Sequence, residues 1–366
     1  MAALSRWEGG GVPASPAAWL LTVARRRARD RMRRDATLAR KLPLLIVDEE
    51  EDVEPIPDAG PGEAEIDDER LRMIFTACHP ALAPAARVAL TLRYAGGLAT
   101  VEIARLFAVA EPAMAARLTR AKRKIAEAGI PYRVPPAADL PARLAGVLAV
   151  IYLVFTEGYA PTRGDRVVRD ELCAEAIRLG RLLRALVPED DEVDALLALM
   201  LLTHARSAAR GGTGGLVLLA DQDRGRWDRE LLVEGLALLP AGGPLGPYGL
   251  QARIAAEHAA ARTDWQAIAA LYEQLVALRP TPAARLNRAV AIAEVEGPEA
   301  GLALLDDLEP ALGAGHALHT ARAELLLRAG DAAAAADAFE RAAARAGNAA
   351  VRRHLRRRRA LAVDRR

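Results

Sequence analysis

Apolar residues recur at three- and four-residue intervals through most of this chain, and short polar or Gly/Pro-rich stretches cut the pattern into segments. Ser15 ahead of Pro16 supplies an N-cap and a first helical residue, so a helix is predicted from there to about Arg34, behind a loop at Gly9–Ser15. Pro43–Glu65 is rich in Asp, Glu, Pro and Gly and lacks a regular apolar period, which reads as a flexible linker. A helical unit then runs from Ile66 to about Gly129 and stops at the breaker cluster Ile130–Pro136. From Leu140 onward the helical spacing resumes, with interruptions at Pro188, at Gly211–Gly215 and at Gly242–Pro247. Ala, Leu and Arg dominate the segments and aromatic residues make only 4% of the 366, so the whole pattern predicts an all-α protein of several domains.

The last third repeats. Asp264, Gly297 and Gly330 are spaced by 33 residues, each at a predicted turn between two helices. Small residues fill the helix before each turn (Ala255–Ala261, Ala289–Ala293, Ala321–Ala329), and a bulky anchor, Tyr272, Leu305 or Phe339, follows it. That period suits helix-pair repeats of the tetratricopeptide (TPR) kind, which bury their faces only by stacking on neighbours. An irregular helical bundle is the alternative.

The most specific pattern lies in Arg87–Ala128. It divides into a helix ending near Ala95, a break at Gly96 and Gly97, a helix Val101–Phe107 capped by Thr100, a four-residue turn, and a long helix from Pro112. This is helix-turn-helix anatomy. At about 100° per residue, Met114, Leu118, Ala121 and Ile125 share one face, which can pack against Ile103, Ala104 and Phe107. Ala116, Arg120 and Arg123 project from the opposite side, flanked by Arg117 and Lys124. A helix of that kind fits the DNA major groove, where Arg can donate two hydrogen bonds to guanine and basic side chains neutralise phosphates. A cationic helix in an ordinary bundle would carry the same stripe.

Net charge is only +2, but its layout sharpens the picture. Residues Met1–Lys41 carry about +7, Leu42–Arg70 about −11 and Arg87–Arg133 about +6. Two basic modules flanking an acidic strap point to a polyanionic partner.

Beyond these physical readings, the chain resembles the extracytoplasmic-function sigma factors, RNA polymerase subunits of bacteria, in the subgroup with a long helical-repeat C-terminal extension. The string TVEIARLF…MAARLTRAKRKI is similar to the promoter-reading part of sigma region 4. IPYRVP, LAVIYLVFTEGY at Leu148–Tyr159, VRDELCAEAIRLGRLL at Val168–Leu183 and LADQDRGRWDRELLVEG at Leu219–Gly235 extend the likeness through most of the chain. The helix Pro16–Arg34 resembles the end of sigma region 2, which engages the −10 element. In relatives several helices precede it, whereas eighteen residues precede Trp19 here, so the resemblance implies a partial region 2. It further implies that Trp19, Arg25, Arg26, Arg29 and Arg33 address the downstream element and that Ala116, Arg117, Arg120, Arg123 and Lys124 address the upstream one. The arginines of the first group suit tracking of a phosphate backbone as the duplex opens. The implied partners are core RNA polymerase, promoter DNA and a protein or small-molecule signal received by the extension.

The expected organisation is residues 1–41 as partial region 2, 42–66 as acidic linker, 67–136 as region 4, 137–249 as a helical extension domain, and 250–366 as TPR-like repeats with a basic tail. A regulator that uses the helix-turn-helix and the repeats without recruiting polymerase is the competing reading.

Catalytic, cofactor and metal readings find little support. Gly211–Gly215 has no GK[ST] after it and reads as a flexible loop. Cys78 and His79 are adjacent and point about 100° apart on a helix, so they read as packing residues, as does Cys173. Asp221, Asp223 and Asp228 form no convincing metal set, and Asp221 is expected to cap the helix bearing Trp227. Glu157 near Tyr159 reads as a buried hydrogen-bonding group, and Arg352–Arg359 as a solvated tail. No signal peptide opens the chain and the apolar run Leu144–Phe155 is too short to span a bilayer, so a cytoplasmic protein with no membrane partner is expected.

Overall fold

The structure is a computed structural model that describes residues 69–364, apart from positions 95, 96, 108, 137, 138, 189, 213, 214 and 241. The predicted helix Pro16–Arg34, the acidic linker, and Trp19, Arg25, Arg26, Arg29 and Arg33 all lie outside the described residues. By internal contacts the described chain divides into two units, Thr119–Ile130 falling in one and Arg70–Leu118 with the residues from Pro131 onward in the other.

The described chain is mostly helical, as the periodicity predicts. Helices α1 (Glu69–Ala77), α2 (Pro84–Tyr94), α3 (Thr100–Leu106) and α4 (Glu111–Glu127) come first. Then follow α5 (Leu140–Tyr159), α6 (Asp170–Leu186) and α7 (Asp191–His204). After a short α8 (Ser207–Arg210) the chain makes a two-stranded antiparallel hairpin, β1 (Gly211–Gly212) with β2 (Gly215–Leu216), where the sequence suggested a flexible loop. Gly215, at φ 102°, occupies a backbone region that residues with a Cβ rarely enter.

Helix α7 organises the following part. The Asp190 carboxylate accepts the Glu192 and Val193 N–H groups at its start, and Val193 and Ala195–Leu202 are buried in an unbroken run. A helix apolar all round must be covered on all sides. Helices α5 and α6, together with α9 (Arg229–Ala237) and α10 (Pro247–Ala259), cover it. Between α8 and α9 the capping differs from expectation. Asp221 ends a 3-10 turn, Asp223 caps a second turn by accepting the Gly225 N–H, and Asp228 caps α9 through the Glu230 and Leu231 N–H groups. Trp227 is buried just before that helix, not on it.

The rest comprises α11 (Trp265–Leu278), α12 (Pro282–Glu296), α13 (Pro298–Leu305), α14 (Glu309–Leu312), α15 (His316–Arg328), α16 (Ala332–Arg345) and α17 (Ala349–Val363). From α11 on, the long helices pack chiefly on their sequence neighbours. Asp264 caps α11, Gly297 turns between α12 and α13 at φ 101°, and Gly330 precedes the Asp331 cap of α16. Leu305 and Phe339 are fully buried, and Tyr272 is partly buried. Gly301 lets α13 approach α12 closely, because a Cβ there would lie 2.5 Å from the Ala293 Cβ.

Arg352–Arg359, expected to be a solvated tail, is the middle of α17. Arg358 forms a two-pronged pair with Glu324 and lies over the Phe339 ring, while Arg359 pairs with Glu340 at 2.9 Å. The start of α17 is tied to a distant loop. Asn348 is buried; its amide nitrogen donates to the carbonyls of Pro161, Arg163 and Arg166 at 3.1, 3.3 and 2.9 Å, and its Oδ1 accepts the Ala350 and Val351 N–H groups. The Ala349 N–H donates to Gly164 O at 2.6 Å beside it.

Candidate nucleic-acid interface

Helix α2 ends where Gly97 turns the chain at φ 65° and the Leu98 N–H reaches back to Leu92 O at 3.0 Å. Arg93 fastens the same turn by donating to Leu98 O at 3.0 Å. Helix α3 starts one residue earlier than the Thr100 cap suggests. Ala99 O accepts the Glu102 and Ile103 N–H groups, and the Ala99 N–H donates to the Glu102 carboxylate at 2.8 Å. Glu102 thus closes half of a capping box. The sequence held that signal, since Glu102 stands three residues after the cap position. The Glu102 carboxylate also lies 3.7 Å from the Arg169 guanidinium, at the start of α6.

The turn after α3 is closed by Val109 N–H to Ala104 O at 3.0 Å. Ala110 O then accepts the Ala113 and Met114 N–H groups, which makes Ala110 the cap of α4 and starts that helix at Glu111, not Pro112. Pro112 fits the first turn, where no intrahelical N–H bond is lost, and Glu111 there suits the helix dipole.

Burial along α4 follows the predicted split. Met114, Leu118, Ala121 and Ile125 are at most 8% exposed. Ala116, Arg120, Arg123 and Lys124 are exposed. Arg117 is only partly so, because its guanidinium sits 5.2 Å from the centre of the Phe107 ring. Arg123 pairs with Glu127 at 3.3 Å, with both side chains more than half exposed, so the pair is weak and easily exchanged. Among the described residues, Arg120 and Lys124 have no ion-pair partner. The outer surface of the helix can therefore offer three cations to an anion at little cost.

Elsewhere the chemistry is quiet. Cys78 and Cys173 are free and buried, and burial pushes both thiols up to about 12, so neither is a thiolate near neutral pH. The Glu157 carboxylate accepts the Thr162 N–H at 3.3 Å, and burial raises its pKa. No described helix is long and apolar enough to cross a membrane.

Comparison with known proteins agrees with this geometry. Residues 72–125 match the family "Sigma-70, region 4", and residues 143–242 match a family of unknown function (DUF6596). An uncharacterized protein of Rhizobium meliloti (strain 1021) is 43% identical over 363 residues, covering 97% of this chain and 86% of its own. No solved structure matches.

Proposed function

We propose that this chain, which belongs to the same family as the Rhizobium meliloti protein and carries a sigma-70 region 4 domain, directs RNA polymerase to promoters as a sigma factor. The observation that carries the reading is the face of α4 bearing Arg120, Arg123 and Lys124, exposed on a helix whose other side is buried. In this reading Ala116, Arg120, Arg123 and Lys124 meet the upstream element. Arg117, braced on Phe107, reaches a phosphate at the edge of the groove. Trp19, Arg25, Arg26, Arg29 and Arg33 act on the downstream element, joined to region 4 by the acidic segment 42–66. Residues 137–249 and the TPR-like 250–366 modulate these contacts, and the mechanism is binding without catalysis.

The test of DNA contact uses the full chain and labelled duplex DNA from 50 to 200 mM salt, by fluorescence anisotropy. Because each neutralised phosphate contributes about 0.9 to the slope of log K against log salt, replacing Arg120, Arg123 and Lys124 together by Gln should flatten it by about 3. An unchanged slope would sink the interface. Run-off transcription with purified core polymerase tests the sigma role itself. DNA binding without any promoter-directed transcript would favour a regulator that does not recruit polymerase.

A further inference from the structure

A cavity of about 510 Å³ opens within the extension where α5, α7, α10, α11 and α12 converge. That is the size of a small-molecule site. Its wall carries two guanidiniums, Arg206 and Arg279, and the three tyrosines Tyr152, Tyr248 and Tyr272, but no carboxylate among its lining residues. Arg206 stands out. It is 8% exposed, its Nε is buried without a hydrogen-bond partner, and no described carboxylate pairs with it. Buried cations elsewhere in proteins are paired, because an isolated one forfeits its hydration for nothing in return.

The surroundings make the imbalance worse. Burial disfavours the Arg206 charge most; Tyr159 favours it, while Arg210 and Arg224 disfavour it. Arg210 is occupied with the Tyr159 ring and Arg224 with the Trp227 ring and Ala260 O. His258 lines the same wall; its Nδ1 is also buried and unpartnered. Burial and the charges of Arg206 and Arg224 hold its pKa down to about 4, so it is neutral near pH 7 and free to donate or accept. Next to this polar corner, Tyr152 and Tyr248 meet edge to face with ring centres 5.6 Å apart, and the Tyr152 hydroxyl donates to Gln251 at 3.1 Å.

We propose that this cavity binds a small organic anion, its acid group seated on Arg206 and its apolar or aromatic body against Tyr152, Tyr248 and Ile254. The guanidinium offers the planar fork that a carboxylate or phosphate oxygen pair accepts. The anion supplies the negative charge that the described protein residues leave out. The proposal deepens the reading of the extension as the receiver of a signal, yet it rests on the cavity alone and is tested without DNA or polymerase.

The experiment measures thermal unfolding of the full chain at constant ionic strength with benzoate, phenyl phosphate or the neutral isostere benzamide, each at about 10 mM. At least one anion should raise the midpoint by about 2 °C while benzamide does not, and Arg206→Met should abolish the rise. A second measurement needs no ligand. In buffer alone, Arg206→Met should leave the midpoint unchanged or raise it, since it removes a buried charge with no partner. Three results each overturn the proposal: no shift from either anion, a shift that survives in Arg206→Met, or a large fall in the midpoint of the ligand-free variant. Loss of DNA binding in the α4 variants would leave these outcomes untouched.

Discussion

Asn348 makes the sharpest stability prediction, because one buried amide serves two structures distant in sequence. Its oxygen caps α17 and its nitrogen holds the Pro161–Arg166 loop through three carbonyls. Removing an N-cap costs about 1 kcal/mol. The two amide hydrogens serve at least two good bonds to backbone carbonyls, at about 1 kcal/mol each, and truncation removes them. Asn348→Ala should therefore destabilise by about 3 kcal/mol, which for a domain of this size lowers the melting midpoint by about 6 to 12 °C. Asp331→Ala is the control. It removes an exposed cap that accepts the Ala334 N–H at 2.9 Å and ties nothing else, so about 1 kcal/mol is expected. Urea unfolding followed by far-UV circular dichroism measures both. Should the two variants fall within about 0.5 kcal/mol of each other, the tie to the loop contributes nothing and the reasoning fails. Asn348→Asp keeps the cap but turns a carboxylate toward three carbonyl oxygens, so it should be at least as damaging near neutral pH.

Other expectations follow from packing and protonation. Gly301→Ala places a methyl within 2.9 Å of Ala289 O and the Leu325 Cδ1 as well as against Ala293, and should cost about 2 kcal/mol in the same unfolding assay; a neutral result would mean α13 is less tightly seated than described. Burial lowers the pKa of His204, His258, His316 and His354. Each then binds its proton more readily when unfolded, so the unfolded state gains protons first as pH falls from about 6.5. Stability should be full above pH 7 and decline toward pH 4, with His258 alone responsible for about 3 kcal/mol; in His258→Gln that decline should be shallower, and an identical pH profile would refute the assignment.

Much of the fold could be read from spacing because its signals are local. The buried stripe Met114, Leu118, Ala121 and Ile125 follows from helical period, and the turns at Gly297 and Gly330 need glycine conformations that the residue type announces. Local chemistry misled where neighbours compete. Three aspartates stand within eight residues, and which of them caps depends on where Trp227 is buried, so Asp228 took the role expected of Asp221. Arg352–Arg359 looks like a solvated run until Glu324, Glu340 and the Phe339 ring are placed beside it. The Asn348 tie and the Arg206 cavity depend on residues far apart in sequence, and nothing in a single sequence reports such distances. For the candidate interface, the basic face of α4 was legible, whereas the brace of Arg117 on Phe107 and the contact of Glu102 with Arg169 were not.

That last contact bears on how the protein can be taken apart. Glu102 sets the first turn of α3 while facing an arginine of the extension, and the Cys78 thiol meets Gly146 O at 3.7 Å on α5. The helix-turn-helix is thus not a portable cassette. Cutting it out as residues 67–136 would bare the apolar flank around Cys78 and strand Glu102, and grafting a foreign region 4 onto this extension would require transplanting both seams along with it.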